Sequence, residues 1–150
     1  MIETTIRTCT QEDIHQIIGL MKELKAFAST SSDFIEEDIN SILKEMEMKP
    51  DIYINLVAEI NGLVVGFISV IFYKTLYHKG GTALINELII NQNYRDKGIG
   101  RLLVENIKSE AIRRGMDELE VGTELDNKVA QSFYKKCGFD EEFLLLGMVF

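Results

Sequence analysis

Apolar residues recur along this chain at helical spacing, then in dense alternating runs, then at helical spacing again. "TIRTCT" reads as a short first strand, and Thr10-Gln11-Glu12-Asp13 resembles a capping box with Asp13 in the place of Glu. Ile14, Ile17, Ile18, Met21 and Leu24 follow three and four apart, which predicts a helix ending near Ala26. "ASTSSDF" reads as a polar loop. A second helix is predicted over about 35–49, with Ile39, Ile42, Leu43 and Met46 on one face and Pro50 closing it. The period then changes. "YINLVAEI" and "LVVGFISVIFYK" are apolar, β-branched runs joined by Asn61-Gly62, a strong short hairpin signal. After the loop "TLYHKGG", "TALINELII" predicts a strand over 82–90. A third helix carries Ile99, Leu102, Leu103, Ile107 and Ala111 on its buried side, and Gly115 ends it. "DELEVGT" reads as a strand with Leu119 and Val121 on one face. Asp126 or Asn127 caps a helix running to Cys137, and Gly138 stops it. "EFLLLGMVF" reads as a last, very apolar strand. The order β-α-α-β-β-β-α-β-α-β predicts a mixed α/β domain.

Composition narrows the class. At 150 residues the chain fits one domain, 1–150, with 46% apolar and 27% charged residues and a single proline. The net charge of −8 argues against nucleic-acid binding, which needs excess Lys and Arg. It also favours a cationic substrate and requires any anion site to be a local positive spot. Cys9 and Cys137 are too few for a disulfide framework or a cysteine-rich zinc site. Residues 1–10 lack the apolar core of a signal peptide, and Leu63–Phe72 is too short to cross a bilayer. The expectation is a soluble, cytoplasmic protein with no membrane partner.

The chemistry concentrates in "NQNYRDKGIGRLL", where two glycines separate a strand from a helix. A helix opening on glycines can present bare backbone N–H groups to an anion. A P-loop needs four residues between its glycines and then Lys and Ser or Thr, whereas Arg101 follows Gly100 here. A dinucleotide fingerprint needs a small residue where Leu103 stands. What remains is R-x-x-G-x-G, made by Arg95, Gly98 and Gly100. This pattern resembles the signature of the GCN5-related N-acetyltransferases (GNAT). The stretch "DNKVAQSFYKKCGF" is similar to a later block of that family through Asn127, Ala130, Phe133, Tyr134, Gly138 and Phe139. The order of elements is similar over nearly the whole chain.

The resemblance implies a GNAT-like single domain that binds acetyl-coenzyme A and moves its acetyl group to a primary amine, with no metal. It implies that main-chain amides of Arg95, Asp96, Lys97, Gly98, Ile99, Gly100 and Arg101 wrap the carrier's pyrophosphate. Arg95, Lys97 and Arg101 supply positive charge, and Asp96, beside the phosphates, is expected to point outward. Glycines at 98 and 100 are expected to keep side chains out of the way. The resemblance also implies that the backbone of Leu88, Ile89 and Ile90 meets the pantetheine arm at a bulge, on an edge left open where the neighbouring strand splays away, with an N–H near Ile90 free for the oxyanion. Asn127 and Tyr134 are also expected beside the carrier.

Amine attack on a thioester needs a neutral amine, a donor for the developing oxyanion and a proton for the leaving thiolate. Tyr134 is the candidate acid, because a phenol pKa suits a thiolate. Glu87 is the candidate base, directly or through water, since burial in an apolar strand raises a carboxyl pKa. Alternation along the strand leaves open whether Glu87 or Asn86 faces the substrate. Phe27, Tyr73, Tyr77 and His78 are candidate acceptor-side residues, with core packing an equal reading of Tyr73. The acceptor is not legible: a polyamine, an aminoglycoside, a lysine or a peptide N-terminus all fit. Only eleven residues follow Phe139, too few for a long closing hairpin. The acceptor side is then expected to be either open or closed by a second subunit, as in a homodimer. The rival reading is a coenzyme A sensor or interaction module without transfer.

Overall fold

The computed structural model describes residues 3–27 and 36–150, with the backbone alone for 24–27. The loop "ASTSSDF" and the side chain of Phe27 therefore lie outside the described residues. The elements are β1 (Thr5–Thr8), a 3-10 turn (Gln11–Asp13) leading into α1 (Ile14–Phe27), α2 (Glu36–Glu47), β2 (Tyr53–Ile60), β3 (Leu63–Tyr73), β4 (Thr82–Ile90), α3 (Ile99–Arg113), β5 (Glu118–Val121) and α4 (Lys128–Lys136).

Local signals explain several boundaries. The Asp13 carboxylate accepts the Thr10 N–H at 2.7 Å, so the shorter acid serves the capping box. Asp13 is buried and accepts a two-point pairing from Arg7 at 2.7 and 2.8 Å, which ties β1 to α1. Asn61 and Gly62 have φ of 50° and 79°, the left-handed pair of a tight hairpin turn. The Asn127 side chain caps α4 by accepting the Ala130 N–H at 3.1 Å, and Gly138 closes that helix at φ 104°.

The five strands form one sheet in the order β1-β2-β3-β4-β5, antiparallel except for the parallel β4–β5 pair. One apolar layer sits between the sheet and α3 with α4, built from Ile68, Val70, Ile85, Leu103 and Ile107 among others. A second lies between the sheet and α1 with α2, including Ile17, Leu43, Val57, Phe67 and Ile89. The helix faces were read in the main correctly, with two exceptions. Ile42 and Leu102 are largely exposed, and Val104 takes the buried place beside Leu103.

The expected last strand does not form. Residues 140–150 belong to no strand, and every residue from 141 to 150 is exposed. The apolar pattern suited a buried strand, but the segment pairs with none of the five strands.

Candidate active site

The site begins with a slip in the β3–β4 ladder. Ser69 pairs with Glu87 and Val70 with Ile85, leaving Asn86 as an extra residue in β4. The bulge switches the faces of the strand. Ahead of it, Ala83 and Ile85 point into the α3 layer. Beyond it, Leu88 and Ile90 pack on that layer, while Ile89 joins the α1–α2 layer. Glu87, two residues before Ile89, shares the α1–α2 face.

Burial holds the Glu87 carboxyl above its ordinary pKa, and the Ser69 hydroxyl beside it opposes the shift only in part. Ser69 Oγ and Asn55 Oδ1 are buried without a hydrogen-bond partner among the described residues. Asn55 pairs with Ser69 and Ser69 with Glu87, so a polar row crosses three strands inside an otherwise apolar layer. Asn86 is exposed at the bulge.

The second component is an open edge. β5 pairs with β4 only from Thr82 to Ile85. From Asn86 onward the β5-facing side of β4 is unpaired among the described residues. Asn91 donates its N–H to Val65 at 2.8 Å, which turns the peptide groups of 91, and by alternation 89 and 87, toward β3. Those of Leu88 and Ile90 therefore face the gap. Ile89, counted with them from sequence, turns its peptide inward to β3. The Ile90 carbonyl accepts from Arg95 Nε at 3.1 Å, which anchors the following loop to this edge.

That loop supplies the third component. Asp96 and Gly98 have φ of 59° and 80°, and Gly98 caps α3 in the left-handed region. Among the described residues, no backbone hydrogen bond uses the N–H groups of 96 to 101. This run of free donors lies at the positive end of a 15-residue helix. Arg95, Lys97 and Arg101 are exposed beside it, with Lys97 Nζ 5.2 Å from the centre of the Tyr94 ring. The two glycines do different work. Gly98 provides a conformation that side chains resist, with open space around it. Gly100 makes room for packing: a Cβ there would sit 3.2 Å from Phe133 Cζ and 3.6 Å from Ile90 Cγ1.

Tyr134 lies one residue beyond that packing contact. Its ring meets Phe133 and Phe139 edge-on, with centroids 5.1 and 5.5 Å away. Burial, with a smaller push from Cys137, raises its pKa to about 12. No hydrogen bond occupies its hydroxyl among the described residues, so the phenol keeps a proton to give. Of the two cap candidates read from sequence, Asn127 is the one that caps α4.

The acceptor-side candidates separate. Tyr73 Oη donates to Glu120 at 3.0 Å, and His78 Nε2 stands 2.8 Å from Glu118. Tyr77 is almost fully exposed. Leu119 and Val121 pack toward α3, so Glu118 and Glu120 face the other way, on the face that carries Glu87. Glu118 is held above its ordinary pKa chiefly by Glu120 beside it. The sequence reading missed these two acids. Their alternation with Leu119 and Val121 was the signal that could have found them.

This arrangement of bulge, open edge and glycine loop defines a class. The sequence profile described as the Acetyltransferase (GNAT) family matches residues 17–139, and the chain belongs to that family. An uncharacterized N-acetyltransferase of Methanocaldococcus jannaschii is 29% identical over 146 residues, 95% of this chain. The chain spans 63% of that relative's length. In fold it is similar to glucosamine-6-phosphate N-acetyltransferase of Arabidopsis thaliana, with a TM-score of 0.81, 21% identity and 99% of each chain covered. It is likewise similar to an aminoglycoside N-acetyltransferase crystallised with coenzyme A, with a TM-score of 0.84, 16% identity and coverage of 99% of this chain and 95% of that one.

Proposed function

We propose that this protein transfers an acetyl group from acetyl-coenzyme A directly to a primary amine of a cationic acceptor. The observation that carries the proposal is the row of unused N–H groups at 96–101, continuous with the open edge at Leu88 and Ile90. A diphosphate fits the first and an amide-bearing arm fits the second. Acetyl-coenzyme A supplies the activated acyl group as a thioester. Arg95, Lys97 and Arg101 concentrate positive charge at the loop of an otherwise acidic chain. The Ile90 N–H faces the gap and can donate to an acyl oxygen as it gains charge. Glu87, ionised, accepts the proton of the incoming ammonium, directly or through water held by Ser69 and Asn55. Tyr134 gives its proton to the departing sulfur. Glu118 and Glu120, on the same face as Glu87, favour a substrate with more than one positive charge. Aminoglycosides, polyamines and lysine or N-terminal amines share that chemistry. No helix among the described residues is long and apolar enough to cross a membrane, and we place the protein in the cytoplasm.

A thiol-release assay on a panel of polyamines, aminoglycosides and peptides tests the reading. Turnover on at least one amine is expected, and Tyr134→Phe should lower kcat by about 10²-fold or more. Binding of acetyl-coenzyme A without turnover on any amine would replace the enzyme by a sensor. Failure of millimolar acetyl-coenzyme A to raise the melting temperature would remove the carrier site altogether.

A further inference from the structure

A polar row lies beneath the site, in a layer that is otherwise apolar. Asn55, Ser69 and Glu87 stand opposite one another on β2, β3 and β4, among Ile17, Val57, Phe67 and Ile89. Asn55 is 7% exposed and Ser69 2%. Buried polar atoms are bonded as a rule, so Asn55 Oδ1 and Ser69 Oγ, unbonded and side by side, point to a role.

The bulge makes the row. Without the extra Asn86, the pairing of Ile85 with Val70 would continue to Asn86 with Ser69, and Glu87 would oppose Ile68 on the α3 side. With it, Glu87 and Ser69 are direct partners. Side chains directly opposite on neighbouring strands hold their Cβ atoms about 4.5–5.5 Å apart, so rotation about single bonds brings their polar tips into hydrogen-bond reach. Asn55 Nδ2 donates weakly to Met46 Sδ at 3.6 Å. Reversing that amide would set oxygen against sulfur, two acceptors, so Oδ1 is the atom left for the row. The row therefore has a fixed acceptor at one end, a hydroxyl free to turn in the middle and a titratable carboxyl at the other end.

We propose that Ser69 and Asn55 are positioning residues for Glu87, forming a relay whose direction reverses with the charge of the carboxyl. With Glu87 ionised, the Ser69 hydroxyl donates to the carboxylate. When Glu87 takes the ammonium proton, its new O–H donates to Ser69 Oγ, and the Ser69 hydroxyl turns to donate to Asn55 Oδ1. The protonated state is then bonded throughout, whereas the ionised state leaves Asn55 Oδ1 without a donor from the row. Asn55 thus favours the protonated carboxyl through Ser69 and makes Glu87 a readier proton acceptor near neutral pH. That catalytic consequence rests on Glu87 serving as the base; the relay itself does not.

Among the described residues, no charged neighbour competes for the carboxyl. His15 and Lys22 of α1 and Lys44 of α2 are exposed. Glu23 accepts from the Gln92 N–H and Glu47 from Gln11. Burial pushes the Cys9 thiol up to about 11, so it is neutral. On β5, Glu118 and Glu120 are engaged by His78 and Tyr73. Glu87 responds to burial and to Ser69, and to none of these.

Carboxyl resonances of protein labelled with δ-carbon-13 glutamate, titrated without carrier or acceptor, follow Glu87 directly, and Glu87→Gln assigns its signal. Asn55→Leu should lower the Glu87 midpoint by about 0.5–1 pH unit, the worth of one neutral hydrogen bond. Loss of a buried polar group would by itself move a carboxyl the other way, because its surroundings become more apolar. In a Ser69→Ala background the same substitution should leave the midpoint where it was, and Ser69→Thr, which keeps the hydroxyl, should restore the dependence. If Asn55→Leu does not fold, Asn55→Ala carries the comparison. A midpoint that rises or stays, or a fall that persists without the Ser69 hydroxyl, overturns the relay. The acid limb of kcat/KM, followed by thiol release, should move with the midpoint in Asn55→Leu. A limb that ignores a shifted midpoint refutes Glu87 as the base and leaves the relay standing.

Discussion

Replacing Gly98 by alanine isolates the backbone geometry on which the carrier site depends. The residue sits at φ 80° and ψ 2°, and an added Cβ would meet nothing within 4 Å. Steric crowding is thereby excluded as a cause, and only the left-handed conformation is charged against alanine. That conformation costs a side-chain-bearing residue about 1–2 kcal/mol. If the loop keeps its shape, the cost appears as lost stability, roughly 2–8 °C in melting temperature for a chain of this size. If the loop relaxes to negative φ, the amides near residue 98 rotate away and affinity suffers instead. Converted at about 1.4 kcal/mol per tenfold, the loss is roughly 5- to 30-fold in Kd for acetyl-coenzyme A. Scanning calorimetry without ligand and titration calorimetry with it divide the cost between the two. Their sum should stay near the strain energy. A variant with unchanged melting temperature and unchanged affinity would show that the positive φ is not required, and the loop geometry argued above would be wrong.

Asp96 also holds a positive φ of 59°, so Asp96→Gly should leave stability equal or higher by up to about 1 kcal/mol. It should also tighten acetyl-coenzyme A binding several-fold, since it removes about 1 kcal/mol of repulsion in a water-like medium; titration calorimetry checks this. Gly100→Ala should cost about 1–3 kcal/mol through its 3.2 Å approach to Phe133, and Phe133→Leu should restore part of the melting temperature. Glu87 must be ionised to take a proton, so kcat/KM should fall as pH drops through its raised pKa, and Glu87→Gln should abolish that limb while lowering the rate. Because the folded pKa lies above the unfolded one, the Glu87 contribution to stability is fullest below the unfolded value and is lost as pH rises through the folded value. Glu87→Gln should therefore melt higher than the parent at neutral pH, and an equal or lower melting temperature would contradict the burial argument.

Much of this protein is written in short-range pattern. Helical spacing, the Thr10–Asp13 cap, the Asn61-Gly62 turn and the bounds of β4 depend on residues within a few positions of one another, and local rules reach that far. The Arg95–Gly98–Gly100 spacing belongs to the same class, because an anion-binding helix start is a local conformation. What sequence reading could not reach depends on neighbours brought in from a distance. The resemblance implied a bulge in β4, but its position at Asn86 is set by pairing with β3, and that position puts Glu87 on the α1–α2 face while turning the peptides of Leu88 and Ile90 to the gap. Gly100 is small because Phe133, from another helix, packs against it. The residues "FLLLGMVF" carry strand character in isolation, yet a strand exists only where it pairs with a neighbour, and in this structure the segment pairs with none of the five strands.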